Sequence, residues 1–193
     1  DWSSDVCSSD LWVKANSRSV FRDVFSPARH VWGETPENPN DELNILLPEE
    51  KCSELLISFD LGNANSAIVF AEKITLPRKD KPGQTWSAFK FLDEVVVLGE
   101  STVLEDIVLR VLEKMDFWES VIGHPVIWRC WSDSSSIDYK QSIADRSEQV
   151  EVFNVSKGRI VLQAATKGRE SVEAGKKLMR KLFFQDRIFL SQH

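Results

Sequence analysis

The sequence has few cysteines and histidines, and their spacing matches no metal or disulfide framework. Its 193 residues include three cysteines and three histidines. Cys7, Cys52 and Cys130 stand far apart, and none of them belongs to a Cys-x-x-Cys pair. Structural zinc sites and disulfide scaffolds both depend on closely spaced ligands or on several paired cysteines. We therefore expect neither a zinc site nor a disulfide framework.

Long apolar runs and a phosphate-binding loop are also missing. No stretch approaches the roughly 18 apolar residues of a membrane-spanning helix, so a soluble cytoplasmic protein is the expectation. Residues 168–177 differ from the phosphate-loop pattern G-x-x-x-x-G-K-[ST], because Gly168 and Gly175 are too far apart and Lys177 stands where Ser or Thr is required. The segment is therefore not interpreted as a nucleotide site.

The first eleven residues distort the charge balance of the chain. They contain Asp1, Asp5 and Asp10 and no basic residue, and they resemble the translation of a sequencing adapter. The whole chain has 24 basic and 30 acidic residues, a formal charge of −6. Without residues 1–11, which we expect to be non-native, 27 acids remain and the charge is −3. The bulk charge therefore neither marks nor excludes a nucleic-acid-binding protein.

Composition divides the remaining chain into a linker and one domain. Residues 12–51 contain Pro27, Pro36, Pro39 and Pro48 among Glu, Asn and Asp, a mixture typical of a linker. A chain of this length with 42% hydrophobic residues can bury one core. We predict a single compact α/β domain over residues 52–193.

The domain begins with a β-hairpin that places an acid at the end of its first strand. Residues 55–59 are mostly apolar and end at Asp60, residues 62–65 have turn chemistry, and residues 66–71 form a second apolar run. A third strand over residues 86–98 completes an antiparallel meander. Asp60 is either a turn residue or a functional acid, since strand ends at a crevice often hold functional groups.

A second acid follows another predicted strand. Thr102 begins a helix that Gly123 and Pro125 end, and residues 126–132 form a strand that leads directly into Asp133. A right-handed helical crossover can place this strand parallel to the first, about 4.8 Å away. Asp60 and Asp133 would then lie at the same edge of the sheet. Alternatively, Asp133 caps a following helix.

Paired carboxylates at one edge predict a divalent cation site. Two such groups repel unless a cation neutralises them, and oxygen ligands suit Mg²⁺ or Mn²⁺. Glu94 is a second-tier ligand, because the meander puts its strand about 10 Å from that of Asp60. Asp93 faces the opposite side from Glu94, and the sequence does not identify which side is the crevice.

Two basic loops are candidates for contact with nucleic acid. They contain Lys157, Arg159, Lys167 and Arg169. Such residues either bind DNA phosphates or form an ordinary solvated surface.

The order of these motifs resembles the nuclease domain of the large terminase subunit of tailed bacteriophages. The resemblance covers residues 52–193. It rests on Phe-Asp-Leu-Gly at 59–62, Leu-Asp-Glu at 92–94, Trp-Ser-Asp-Ser-Ser-Ser at 131–136, Lys-Gly-Arg-Glu-Ser-Val-Glu-Ala-Gly at 167–175 and Arg-Ile-Phe-Leu-Ser at 187–191. Each motif is short, and their common order gives the resemblance its specificity.

This resemblance implies a ribonuclease H-like fold with a mixed five-stranded sheet, in which parallel strands join the meander and helices flank the sheet. It implies an endonuclease that cuts concatemeric double-stranded DNA during packaging, with Asp60 and Asp133 as acids for two Mg²⁺ or Mn²⁺ ions. The implied partners are DNA, the portal protein and the small terminase subunit, in the cytoplasm of the infected host. The family also has an upstream ATPase domain and a later third acid, so we expect a truncated fragment with weak or no activity.

Two other functional classes remain open from the sequence. An actin-like or sugar-kinase-type ATPase also carries an Asp-x-Gly turn in its first hairpin, although 193 residues leave little room for its second domain. An inactive structural module is the non-enzymatic alternative. Binding of Mn²⁺ would distinguish the nuclease and the ATPase from the inactive module. Cleavage of DNA or turnover of ATP would then distinguish the nuclease from the ATPase.

Overall fold

The computed structural model describes residues 21, 23–32, 52–61, 65–98, 104–132, 160, 162–165 and 171–191. These residues form three helices, α1 (Pro27–His30), α2 (Leu104–Ile122) and α3 (Ser171–Phe184). They also form seven strands, β1 (Val31–Trp32), β2 (Glu54–Leu61), β3 (Asn65–Pro77), β4 (Thr85–Leu98), β5 (Ile127–Ser132), β6 (Leu162–Ala164) and β7 (Ile188–Ser191). Within this part of the chain, no helix is both long and apolar enough to cross a membrane.

The strands form one mixed sheet in the order β1-β7-β4-β3-β2-β5-β6. Strand β2 pairs antiparallel with β3, and β4 follows β3 through a short loop, which gives the predicted meander. Strand β5 pairs parallel with β2 on the side away from β3, as the helical crossover requires. The predicted mixed α/β arrangement of a meander followed by a helix and a parallel strand is therefore confirmed.

The sheet has seven strands, two more than predicted. Strands β1 and β6 span only two and three residues. An alternation of apolar and polar residues cannot be recognised over so short a distance. Both strands depend on a longer neighbour, because β1 pairs with β7 and β6 pairs with β5.

The chain forms two compact units. Unit 1 comprises residues 1–46, 72–92 and 168–193, and unit 2 comprises residues 47–71 and 93–167. The long strands β3 and β4 each contribute to both units, because the divisions fall inside them.

The core of unit 2 follows from two periodic patterns. In β2, Leu55, Ile57 and Phe59 are buried while their neighbours are more exposed, the period of two expected of a strand. Helix α2 buries one face at helical spacing, namely Ile107, Val108, Val111, Leu112, Met115 and Trp118. The helix ends where predicted, because Gly123 has φ 85° and its N–H donates to the carbonyl of Glu119.

The core of unit 1 joins helix α3 to the start of the chain. Leu182, Phe183 and Ile188 are buried, and Phe21 and Phe25 pack against them. The rings of Phe25 and Phe183 meet edge to face at 5.8 Å. Part of the segment predicted as a linker therefore packs on unit 1. The division of the chain into a non-native segment, a linker and a domain stays a prediction.

Candidate functional site

Asp60 lies near the end of β2 on the exposed face of the strand. Phe59 is 3% exposed, so the alternation of the strand directs Asp60 to the opposite side. Its partner across the antiparallel ladder is Ala67, whose methyl group is the smallest side chain that a non-glycine residue can present there. The Asp60 carboxylate is thus accessible, with little bulk beside it on β3.

The parallel pairing of β2 and β5 places two further residues in register. It runs from Glu54 opposite Ile127 to Phe59 opposite Ser132, without interruption. Phe59 and Ser132 immediately precede the two candidate acids, and both are buried. Asp133 itself lies outside the described residues, so its pairing with Asp60 stays a prediction.

The two acids of β4 have different surroundings. Lys114 Nζ donates to Asp93 Oδ2 at 2.6 Å, and the backbone N–H of Glu94 donates to Asp93 Oδ1 at 2.8 Å. Asp93 is therefore engaged in holding helix α2 to the strand. Glu94 is exposed, and β3 separates its strand from β2, as predicted.

A groove of about 480 Å³ lies beside Glu94 in unit 2. Its lining combines two acids and two bases with apolar side chains, Glu94, Val95, Val96, Arg110, Glu113, Lys114 and Phe117. The opposite charges balance, so this groove does not concentrate carboxylates as a cation site would. Glu94 consequently gains no support from it as a ligand.

Thiol chemistry plays no part in the site. Cys52 and Cys130 are both buried and unpaired with one another. Burial raises the pKa of Cys130 to about 12, so its thiolate is not populated near neutral pH. Over the described ranges, no group of three or more His, Cys, Asp or Glu side chains is placed to hold a metal ion.

The basic residues named from the sequence cannot be located. Lys157, Arg159, Lys167 and Arg169 all lie outside the described residues. The structure instead brings together Arg78, Trp86 and Arg187 in unit 1. The run Arg-Lys-Asp-Lys at 78–81 was readable as a polar loop, but nothing in the sequence links it to Arg187, more than 100 positions away.

The chain is similar in backbone to a solved structure, the nuclease domain of the P22 large terminase. The TM-score is 0.49 and the identity 15%, over 91% of this chain and 73% of that chain. No family model matches the sequence, and no curated protein does. At this identity the likeness assigns no role to any side chain.

Proposed function

We propose that residues 52–193 form the metal-dependent endonuclease domain of a phage DNA-packaging terminase. In this proposal, the domain cleaves concatemeric double-stranded DNA by two-metal phosphodiester hydrolysis. Support comes from the motif order in the sequence and from the exposed acid at the end of a central strand.

The register of β2 with β5 is the observation on which the proposal depends most. If the pairing of Phe59 with Ser132 continues by one residue, Asp60 stands opposite Asp133. Neighbouring strands lie about 4.8 Å apart, a separation at which two carboxylates can share a cation. The meander alone could not bring two acids this close, since Asp60 faces Ala67 on its other side.

The residues fit hard cations better than soft ones. Carboxylate oxygens are the donors that Mg²⁺ and Mn²⁺ prefer, and the buried Cys130 thiol is not a competing ligand. Asp60 and Asp133 would hold the metal, with Glu94 as a second-tier ligand. Bound ions would activate water for attack on phosphorus and stabilise the leaving oxygen. The chain's own contribution would be to hold the two carboxylates on adjacent strands, if the pairing of β2 with β5 extends to Asp133.

The biological setting belongs to the same proposal. Double-stranded DNA is the substrate, and the portal protein and the small terminase subunit are partners of the full-length protein. The site of action is then the cytoplasm of the infected host cell.

Titration calorimetry with Mn²⁺ tests the proposed metal site. We expect the chain to bind Mn²⁺ and the Asp60→Asn and Asp133→Asn variants to bind it more weakly, because each loses one anionic donor. Glu54→Gln is the matched control, since Glu54 is an exposed acid on the same strand that pairs with Arg129 instead. Mn²⁺ affinity unchanged in both aspartate variants would refute the site.

Nicking of supercoiled plasmid tests the reaction. We expect this chain to nick plasmid barely or not at all, and any nicking to require Mn²⁺, show no sequence preference and disappear in the Asp60→Asn variant. Turnover of ATP without any nicking would instead favour the actin-like alternative. The wild-type protein and the Glu54→Gln variant should nick at equal rates.

A further inference from the structure

The charges of the described residues are divided unequally between the two units. In unit 1 these residues include 11 Lys or Arg and 5 Asp or Glu, a formal charge of +6. In unit 2 they include 3 Lys or Arg and 9 Asp or Glu, a formal charge of −6. The described part of unit 1 is therefore basic, and Asp60 belongs to the acidic unit 2.

The loop between β3 and β4 presents basic side chains of unit 1 on an ordered backbone. Arg78 N–H donates to the carbonyl of Gln84 at 2.8 Å, and Gln84 N–H donates to that of Lys81 at 3.1 Å. Gly83 has φ 81°, a conformation that glycine adopts without strain. Because these contacts close the loop, its cationic side chains project from a defined turn.

Two guanidinium groups lie against one indole ring beside this loop. The Arg78 and Arg187 guanidinium carbons are 5.3 and 5.2 Å from the centroid of the Trp86 ring, within cation–π range. Asp80 binds Arg78 through both carboxylate oxygens, at 3.0 and 2.6 Å. Arg187 instead donates to the Ser87 carbonyl at 2.6 Å, which fixes its position without neutralising its charge.

Arg187 therefore holds a positive charge close to that of another arginine. Among the described residues, no carboxylate forms an ion pair with Arg187. Burial lowers the pKa of Arg187, and the charge of Arg78 lowers it further. A bound anion would relieve this repulsion, and a guanidinium matches the geometry of phosphate oxygens.

Two exposed lysines enlarge the basic surface. The Lys79 side chain is 89% exposed, and its Nζ lies 3.9 Å from Asp186 Oδ2, a distance at which so exposed a pair contributes little. Lys81 is exposed, and the neighbouring Asp80 carboxylate binds Arg78 through both of its oxygens. Both ammonium groups are consequently available to a ligand.

We propose that the hairpin surface, formed by Arg78, Lys79, Lys81, Trp86 and Arg187, binds the phosphate backbone of duplex DNA. Charge complementarity supports this occupant, since four cations stand against two acids, Asp80 and Asp186. Protein partners usually bury an apolar centre, and none of the large exposed apolar side chains of the described residues belongs to the hairpin surface. The choice of DNA as the nucleic acid rests on the proposed function. Backbone contacts of this kind position a duplex without reading its sequence.

The test measures binding of a fluorescent duplex to the 193-residue chain by anisotropy, in EDTA and over a range of salt concentrations. The variant is the Lys79→Gln/Lys81→Gln double substitution, which removes two exposed charges and no buried contact. Each lost phosphate contact reduces the slope of log K against log salt by about 0.9. We therefore expect the slope to fall by about 2 and the affinity at about 0.1 M salt to fall by about 60-fold.

A matched control removes the same charge elsewhere in unit 1. Lys177 and Lys181 are exposed on helix α3, so Lys177→Gln/Lys181→Gln should keep the wild-type slope. Equal losses in both double variants would show that only total charge matters and would overturn the proposal. The absence of duplex binding by the wild-type chain would overturn it as well, as would preferential binding of polyglutamate at the same lysines.

This outcome is separable from that of the nuclease proposal. EDTA removes divalent cations, so cleavage does not enter the measurement. Asp60→Asn should bind the duplex as the wild type does. A chain that binds DNA through the hairpin surface but whose Mn²⁺ affinity is unchanged by Asp60→Asn and Asp133→Asn would refute the proposed metal site and leave this surface intact.

Discussion

His30 connects helix α1 to the end of helix α3 by hydrogen bonds, and its replacement should lower the free energy of unfolding. The side chain is fully buried. Ser26 N–H donates to its Nδ1 at 2.9 Å, and its Nε2 therefore carries the proton that it donates to the Phe183 carbonyl, also at 2.9 Å. The imidazole is thus neutral and satisfies one donor and one acceptor of the backbone.

His30→Ala would remove the acceptor of the Ser26 N–H, whereas the Phe183 carbonyl would keep the N–H of Asp186 as a donor at 3.0 Å. One unsatisfied backbone group costs about 1–3 kcal/mol, and the lost packing of the imidazole on Phe25 and Phe183 adds to it, so we expect a loss of about 3 kcal/mol in the free energy of unfolding. At about 2–4 °C per kcal/mol for a chain of this size, the Tm should fall by about 10 °C. His30→Gln should cost less, because an amide also offers both a donor and an acceptor.

The same residue predicts how stability depends on pH. Burial lowers the pKa of His30 from 6.5, and the charge of Arg29 lowers it further, while the Phe183 carbonyl and Asp186 oppose this shift. The unfolded state therefore takes up the proton first as the pH falls. Stability is retained above about pH 6.5 and declines below it by up to about 1.4 kcal/mol per pH unit, until folded His30 titrates.

Urea unfolding followed by circular dichroism, at about pH 7.5 and about pH 5.5, measures this effect. The difference between the wild type and His30→Gln isolates His30 from the carboxylates, which titrate in both proteins. We expect the wild type to lose more stability on acidification than the variant. Equal losses would refute the assignment of a neutral, buried His30.

Two other expectations concern a thiol and the N-terminus. Cys130 should resist alkylation in the native protein at about pH 8 and react on unfolding, because burial raises its pKa to about 12; peptide mapping by mass spectrometry would detect early modification. Deletion of residues 1–11 should leave the free energy of unfolding unchanged within about 0.5 kcal/mol, since we expect this segment to be non-native. A clear loss on urea unfolding would show that it contributes to the fold.

Local periodicity was sufficient to predict the central elements. The alternation of Leu55, Ile57 and Phe59 identified β2, and the glycine after Ile122 identified the end of helix α2. In both cases the signal lies within a few neighbouring residues. The topology then followed from the handedness of the crossover, which places β5 beside β2.

Contacts distant in sequence were beyond this reasoning. His30 and Phe183 are 153 positions apart, and the intervening sequence gives no sign that they meet. The same holds for Trp86 and Arg187. The accessible position of Asp60 agrees with its predicted role as an acid at a strand end, but that role and the pairing with Asp133 stay predictions.

The unequal division of charge has a consequence for handling the protein in solution. A calculated isoelectric point near 5.2 would suggest an anion exchanger for purification. The basic hairpin surface of one molecule can nevertheless attract the acidic unit 2 of the next, an attraction that is long-ranged in dilute buffer because the Debye length is about 30 Å at 0.01 M salt. The protein should therefore cloud on dialysis into water, clear again on addition of salt, and adhere to heparin resin despite its net negative charge.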